Sequence, residues 1–270
     1  MRRWFWSSTV TKIIAIVNQK GGVGKTTTVV NIASEIARMN RQVLVIDCDP
    51  QASATSGLSV EKCGDTDLYD VFIGNVPLDS LILPCPFDGV FVVPGSKDLV
   101  SLELELGKKA GRELILKGSL ARVAARFDYI LIDCPPSNGL LTLNALGAAS
   151  HVLIPLQAEY YALEGLSQLM ETLDFVQGTF NRTLEIAGVL LTMFDGRTNL
   201  AAQIESEARE YFGDKVFEAK IPRNIRLSEA PGFGKPIRYY DKNSPGAYAY
   251  GEAAVELLVR LEGQQREAVG

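Results

Sequence analysis

The feature that most constrains this chain is a glycine-rich segment between an apolar run and a helix-forming run. The apolar run, 12–18, has the length of a buried strand, and the segment after it reads Lys20-Gly-Gly-Val-Gly-Lys-Thr-Thr27. Three glycines let the backbone adopt positive φ and turn its N–H groups toward phosphates at the start of the following helix. A strand, a glycine-rich loop and a helix in this order predict a phosphate-binding loop.

Lys25 and Thr26 give this loop its chemistry. In such a loop Lys25 reaches the β and γ phosphates and the hydroxyl of Thr26 ligates Mg²⁺, which predicts a nucleoside triphosphate and Mg²⁺ as ligands. The strict G-x-x-x-x-G-K-[ST] pattern is not met, because Gln19 stands five residues before Gly24. A G-x-G-x-x-G dinucleotide site is the weaker interpretation, since it gives Lys25 and Thr26 no role. The residues predicted to contact the nucleotide here are Gly21, Gly22, Val23, Gly24, Lys25, Thr26 and Thr27.

Short β-branched runs alternate with longer stretches of helical periodicity along the chain. The runs are apolar on both faces, as strands are in a parallel sheet that helices cover on both sides. The sequence therefore predicts an α/β fold with a doubly wound, mostly parallel sheet of the P-loop type. The predicted strands are Lys12–Asn18, Gln42–Asp47, Gly89–Val93, Tyr129–Asp133, His151–Leu156 and Ile186–Met193. The predicted helices are Lys25–Met39, Leu99–Phe127 with a break near Gly107–Gly111, Asn138–Ala149, Leu163–Gly178, Leu200–Phe212 and Gly246–Leu261.

A single domain is expected, because no internal repeat, low-complexity tract or long Pro/Gly/Ser linker divides the chain. We place this domain at residues 12–262. Residues 1–11 and 263–270 are polar or irregular, so we expect a flexible N-terminal extension and a flexible tail.

Three aspartates stand where predicted strands end. Asp47 and Asp49 follow the second strand and Asp133 closes another. The carboxyl ends of strands in an open parallel sheet border the ligand crevice, so all three can face a bound triphosphate. Alone, each would be interpreted as a strand-terminating or capping residue, but beside the loop they predict a magnesium site formed by Thr26, Asp47 and Asp133.

Composition excludes several classes of protein. The longest strongly apolar runs are strand-sized, far below the roughly 20 residues of a membrane span, and the amino end lacks the apolar core of an export signal, which predicts a cytoplasmic protein. The formal net charge of −5 predicts no general attraction to nucleic acid, so any such binding needs a local patch. The four cysteines form no C-x-x-C pair, and the single histidine, His151, begins an apolar run and is interpreted as structural.

Four further segments extend the pattern that the loop begins: 47–57, 133–136, 190–200 and 221–236. Together with the loop they resemble the ParA/Soj branch of the deviant Walker A ATPases. The MinD cell-division proteins and, more distantly, the nitrogenase iron protein belong to the same superfamily. The resemblance runs from about residue 12 to 260.

This resemblance implies a chromosome- or plasmid-partitioning ATPase that dimerises face to face around two ATP molecules. It implies that Lys20 reaches the partner's nucleotide, that Gly21 lies at the tight interface and that Asp49 positions or activates the attacking water. Pro222 and Asn224 would neighbour the adenine. A second lysine supplied in trans can play the part of an arginine finger in phosphoryl transfer.

The resemblance also implies that the ATP-bound dimer binds DNA without sequence preference and associates with the nucleoid, and that a ParB-type centromere-binding protein stimulates hydrolysis. Residues 220–242 hold six Lys and Arg against two Asp and Glu, which composition alone explains equally well as a solvated basic face. With the resemblance, the predicted DNA-binding residues are Arg197, Arg223 and Arg226.

Three alternatives share the fold. A MinD-like membrane-associated ATPase needs a basic amphipathic helix at the carboxyl end, whereas residues 252–270 hold two arginines and four glutamates; we therefore expect no stable membrane association. The tryptophan-rich start, 1–10, remains a minor possibility for contact with a bilayer. An iron–sulfur protein needs a second cysteine suitably spaced from Cys134, and a small-molecule kinase needs a separate acceptor-binding lid; neither feature is evident.

Overall fold

The computed structural model describes residues 10–60, 66–159 and 164–267. Most of the predicted N-terminal extension, residues 1–9, therefore lies outside the described residues. So do Cys63, Leu163 and the last three residues of the predicted tail.

A seven-stranded sheet forms the centre of the molecule, in the order β3-β4-β2-β5-β1-β6-β7. Every pairing is parallel except that of β3 with β4. The predicted mostly parallel α/β fold is confirmed. The strands are β1 (Lys12–Ile16), β2 (Val43–Asp47), β3 (Leu83–Pro84), β4 (Val90–Val93), β5 (Tyr129–Asp133), β6 (His151–Gln157) and β7 (Glu185–Thr192).

Six of these strands lie where the apolar runs predicted them, and β5 has the predicted bounds. β3 was not predicted, because two residues that include Pro84 give no periodic signal; proline is tolerated there because β3 lies at the edge of the sheet.

Helices cover both faces of the sheet. They are α1 (Lys25–Arg38), α2 (Ser53–Gly57), α3 (Leu68–Ile73), α4 (Leu102–Leu106), α5 (Ile115–Leu120), α6 (Leu140–Ala148), α7 (Glu164–Thr179), α8 (Asn199–Phe212), α9 (Ile225–Glu229), α10 (Ile237–Tyr240) and α11 (Pro245–Glu267). The helix predicted over 99–127 does break at Gly107–Gly111, where both glycines adopt positive φ. The parts on either side are two short α-helices and three 3₁₀ turns and not continuous helix. α11 continues to Glu267, beyond the predicted end of the last helix at Leu261.

Alternate strand residues supply two separate cores. Ala15 and Leu44 point into the core beneath α3–α8, whereas Ile14 and Val43 point into the core beneath α1 and α11. This two-sided burial explains why the strands are apolar without alternation. Among the described residues, no helix is both long and apolar enough to cross a membrane.

Buried polar contacts join the first helix to the last part of the chain. Asn31 accepts a hydrogen bond from the Ile237 amide at 2.7 Å, and Glu35 pairs with Arg238 at 2.8 Å. Both α1 side chains are buried, so these contacts fix α1 against α10 and α11 in addition to the apolar packing.

Gly188 in β7 provides a test of this packing. A Cβ there would lie 2.3 Å from the Phe217 ring and 2.6 Å from the Lys215 carbonyl. We expect Gly188→Ala to lower the free energy of unfolding by about 1–3 kcal/mol, measured by urea denaturation. Gly178→Ala is the matched control, because nothing lies within 4 Å of its Cβ in α7 and alanine favours a helix. Equal stabilities of the two variants would contradict this account of β7.

Candidate functional site

The glycine-rich loop connects β1 to α1 at the carboxyl edge of the sheet. Gly22 and Gly24 adopt φ values of 77° and 89°, which other residues rarely adopt. Gly24 is the N-cap of α1, no side chain caps the helix, and its first turn contains no acidic residue. The positive end of a 14-residue helix therefore faces the loop without an internal counter-charge, as an anion site requires.

Lys25 lies at the base of the loop with only 6% of its surface exposed. Its Nζ donates a hydrogen bond to the Lys20 carbonyl at 3.0 Å. Burial lowers the pKa of Lys25, and the nearby Asp133 and Asp49 oppose this shift. A buried ammonium that has one carbonyl partner can accept phosphate oxygens as additional partners.

Two cavities border the loop, with volumes of about 310 and 750 Å³. Gly22, Gly24, Thr27 and Met193 line both of them. The smaller cavity is also lined by Gly21, Lys25, Thr26 and Asp49, and the larger one by Pro222, Arg223 and Asn224. The structure thus brings most of the predicted nucleotide-contacting residues together. Val23 instead points away, buried, and its carbonyl accepts a hydrogen bond from the Thr192 hydroxyl at 2.8 Å.

Asp47 and Asp133 end neighbouring strands in the same register. The Asp47 carboxylate accepts hydrogen bonds from the Thr55 amide at 2.8 Å and hydroxyl at 2.7 Å, and a longer one from the Asp49 amide at 3.3 Å. Burial, opposed by these hydrogen bonds, raises the pKa of Asp47 to about 6. Its contacts hold the segment after β2 in place.

Asp133 has no such partners. It is completely buried, and neither carboxylate oxygen makes a hydrogen bond of ordinary geometry to the described residues. Burial and the charge of Asp47 raise its pKa well above the usual range, while Thr26 and Lys25 favour the charged form. An unpartnered buried carboxylate beside a threonine hydroxyl fits a Mg²⁺ ion, which takes oxygen ligands. Of the predicted metal ligands, the geometry favours Thr26 and Asp133 over Asp47, whose oxygens already accept hydrogen bonds.

Asp49 differs from these two carboxylates because it borders the smaller cavity. One of its oxygens accepts a hydrogen bond from the Gln51 amide at 2.9 Å, which orients the side chain. Its charge acts on Lys25 and on Asp133. Asp49 is therefore placed where a carboxylate can contact a water molecule beside a bound phosphate chain.

Lys20 does not line either cavity. Its ammonium forms an ion pair with Glu159, two residues after β6, and its amide donates a hydrogen bond to the Asn18 side chain at 2.9 Å. Glu159 gave no signal in the sequence, because a glutamate after a strand does not indicate which lysine it pairs with.

The three predicted DNA-binding arginines lie on two adjacent segments: Arg197 on the connection after β7, and Arg223 and Arg226 on a connection and the first turn of α9 that follows it. Arg197 is 89% exposed and pairs with Asp195, with N–O distances of 2.8 and 2.7 Å; these hydrogen bonds lower the pKa of Asp195 to about 2. Arg226 pairs with Glu229 at 2.8 Å. The Arg223 amide donates to the Phe194 carbonyl, which joins the two segments.

Several residues of the site gave little signal in the sequence. Thr55 holds Asp47, and Met193 borders both cavities with the left-handed φ of 49°. The roles of Thr55 and Met193 become evident only from the residues that they contact in the folded chain. Thr55 lies inside the segment 47–57 that carries the family resemblance, which is the nearest signal available.

The other chemistries considered have less support. Cys48 and Cys134 are fully buried, and burial raises the pKa of both thiols. No group of three His, Cys, Asp or Glu side chains that could hold a metal occurs in the ranges that the structure describes. A mononuclear Mg²⁺ held by a hydroxyl, one carboxylate and phosphate oxygens does not require such a group.

A parallel sheet, a glycine-rich loop before an uncapped helix, a buried lysine and strand-end carboxylates define a P-loop nucleotide-binding protein. The comparisons agree. An "AAA domain" family profile matches residues 11–186. The chromosome partitioning protein ParA of Myxococcus xanthus is 50% identical over 254 residues, which cover 94% of this chain and 90% of that protein. The sporulation initiation inhibitor protein Soj of Bacillus subtilis is 51% identical, covering 91% of this chain and 98% of that one.

A solved structure titled cobyrinic acid a,c-diamide synthase from Mycobacterium smegmatis, with bound ATP analog and magnesium, superposes with a TM-score of 0.82 at 35% identity. The match covers 94% of this chain and 96% of that one. The chain described here belongs to the ParA/Soj family of partitioning ATPases. It is an ATPase with ATP and Mg²⁺ as its cofactors.

The unpartnered charge of Asp133 can be tested by Asp133→Asn. Without nucleotide we expect the variant to be more stable than the parent by about 1–3 kcal/mol, because it removes a buried charge. Since the folded-state pKa of Asp133 is raised, the parent is penalised above that pKa, and the difference shrinks as the pH falls through it. Urea unfolding between about pH 8.5 and about pH 5.5 measures this. With Mg²⁺ and ATP, the parent should gain more stability than the variant.

A variant that is less stable than the parent at every pH would contradict this interpretation of Asp133. Asp49→Asn is the matched control. It removes a carboxylate that has a hydrogen-bond partner and borders a cavity, so it should change the unfolding free energy without nucleotide less than Asp133→Asn does.

Proposed function

We propose that this chain is a DNA-partitioning ATPase whose ATP-bound dimer binds DNA without sequence preference and hydrolyses ATP when a ParB-type centromere-binding protein stimulates it. The supporting observation is that the larger cavity lies next to the predicted DNA-binding residues. Two segments, the connection 193–198 and the segment 221–226 that enters α9, line the larger cavity through Met193, Pro222 and Asn224. The same segments carry the predicted DNA-binding arginines. Nucleotide binding at the cavity can therefore alter the position of the basic residues.

The nucleotide site has the parts that phosphoryl transfer needs. Lys25 and the amides of the glycine-rich loop bind the phosphates, and Thr26 and Asp133 hold Mg²⁺, which neutralises charge on the phosphate oxygens. Asp49 orients the attacking water. The proposal assigns the adenine to the larger cavity, beside Pro222 and Asn224.

Lys20 completes the site of the partner subunit. It borders neither cavity of its own chain, so a role in trans explains why a second lysine stands in the loop. An ammonium at the partner's γ phosphate stabilises charge that develops during transfer. Gly21 lies beside it, and a Cβ there would meet no atom within 4 Å among the residues that the structure describes.

These roles separate dimerisation from hydrolysis in two variants. Asp49→Ala should bind ATP, hydrolyse it at least about a hundredfold more slowly and accumulate as a dimer, because only the water loses its partner. Gly21→Val should bind ATP and stay monomeric, because a Cβ there meets no described atom of its own chain within 4 Å and the added side chain meets the second subunit. Calorimetric titration measures ATP binding, and light scattering after size exclusion measures mass. Two variants with the same oligomeric state in ATP would contradict this division of roles.

A third variant controls for distortion of the loop. Gly22 has positive φ, so Gly22→Val should weaken ATP binding itself, in contrast to Gly21→Val. If both variants lose ATP binding, Gly21 is a structural residue of the loop and not a dimer-interface residue.

DNA binding tests the proposal as a whole. The parent should retard unrelated duplexes with ATP but not with ADP or without nucleotide, and each phosphate contact should contribute about −0.9 to the slope of log affinity against log salt. Arg226→Glu, and to a smaller degree Arg197→Glu, should abolish this binding and leave the ATP-dependent dimer intact. Arg182→Glu is the matched charge reversal at the opposite end of β7. DNA binding by Arg226→Glu equal to that of the parent would contradict the assignment of this surface.

The remaining parts of the proposal follow from the same scheme. The working unit is residues 12–262, and the ATP-bound form associates with the nucleoid in the cytoplasm. The predicted flexible tail from residue 263 is wrong for 263–267, which continue α11. A MinD-like membrane role has no specific support, because the described part of α11 carries Glu252 and Glu256 on the stretch where a lipid anchor would need basic residues.

A further inference from the structure

The ion pair of Lys20 with Glu159 is a charged contact of the loop that the proposed mechanism does not use. Glu159 follows β6, and both side chains are about one-third exposed. The pair therefore links the loop to the neighbouring strand of the same subunit, while the proposed function requires the Lys20 ammonium in the site of the other subunit.

Lys20 is held at three points in this structure. Its amide donates to the Asn18 side chain, its carbonyl accepts from Lys25 Nζ, and its ammonium pairs with Glu159. The Asn18 side chain in turn donates to the Pro155 carbonyl of β6 at 2.8 Å. The amino end of the loop is thus tied to the end of β6 by two side chains.

Lys25 connects the proposed phosphate site to Lys20. Its ammonium donates to the Lys20 carbonyl, and Lys25 is also the predicted ligand of the β and γ phosphates. When phosphates attract this ammonium, the Lys20 carbonyl loses or shares its partner, and one of the three restraints on Lys20 weakens. The Glu159 carboxylate remains and competes with the partner's γ phosphate for the same cation.

We propose that Glu159 is a positioning residue that retains Lys20 in its own subunit and so opposes ATP-dependent dimerisation until phosphate binding loosens the loop. This inference rests on the proposed function, because it requires the action of Lys20 in trans. Each subunit of the dimer must break one such pair, so the effect enters the dimerisation equilibrium twice.

The test is Glu159→Gln, which keeps the shape of the side chain and removes its charge. Exposed ion pairs contribute little, so we expect the dimer dissociation constant in ATP to fall by about two- to tenfold. The affinity of the monomer for ATP should change less than about twofold, because Glu159 borders neither cavity. Sedimentation equilibrium with a slowly hydrolysed ATP analogue measures the first quantity. A nucleotide titration at protein concentrations below the dimer dissociation constant measures the second.

Three controls make the result specific. Glu185→Gln removes one charge from the opposite end of the sheet and should leave dimerisation unchanged. Glu159→Asp retains the charge and should restore most of the parent's dissociation constant. In a Lys20→Ala background, Glu159→Gln should have no further effect, because the cation that it releases is missing.

A dimer dissociation constant that is unchanged or higher in Glu159→Gln overturns the inference. A higher value would show that Glu159 helps Lys20 to reach the site of the partner subunit. A tighter dimer that persists in the Lys20→Ala background also overturns it, because the gain then does not pass through Lys20. Failure of the proposed function is distinguishable: Lys20→Ala alone would then dimerise and hydrolyse ATP as the parent does.

Discussion

The structure depends on the pairing of β2 with β5, which places two carboxylates side by side where the strands end. Asp47 and Asp133 are completely buried, and two adjacent negative charges in a low dielectric are unfavourable unless neighbouring groups compensate. The chain compensates Asp47 with hydrogen bonds from Thr55. For Asp133, Thr26 and Lys25 of the loop and the start of α1 favour the charged form. The loop, the start of α1 and the segment after β2 are arranged around this charge, and a divalent cation is the complement that it lacks.

Much of the fold was predictable because a parallel strand that is buried on both faces appears in the sequence as an uninterrupted apolar run. Six apolar runs marked six strands, and Tyr129–Asp133 had its final bounds because Asp133 ends the apolar run abruptly. The region 99–127 was predicted as a helix with a break near Gly107–Gly111; the break is confirmed, but continuous helix on either side of it is wrong. Its leucines have helical spacing, but Gly107 and Gly111 divide it, and its short turns are stabilised by packing against α6 and not by continuous hydrogen bonding.

The site was predictable to the extent that its residues lie close together in the chain. The loop residues Gly21–Thr27 form a local motif, and the structure places all of them but Val23 along one or both cavities. Contacts between distant segments could not be read in this way. The hydroxyl of Thr55 distinguishes Asp47 from Asp133, and Glu159 determines where Lys20 points. Both pairings depend on strand order and loop conformation, which a single sequence does not specify.

The contacts of α1 with α10 and α11 affect the order in which parts of the chain can fold during synthesis. Asn31 and Glu35 are buried against Ile237 and Arg238, and the apolar face of α1 packs on α11. These partners lie roughly 200 residues later, which a ribosome needs about 10 to 40 seconds to add. During that interval the helix that begins at the phosphate loop has one apolar side without its partner, and Glu35 keeps only its ion pair with Arg38. The segment translated first therefore reaches its final packing only when the last helix has emerged, and a chain that terminates before α10 lacks a supported nucleotide site.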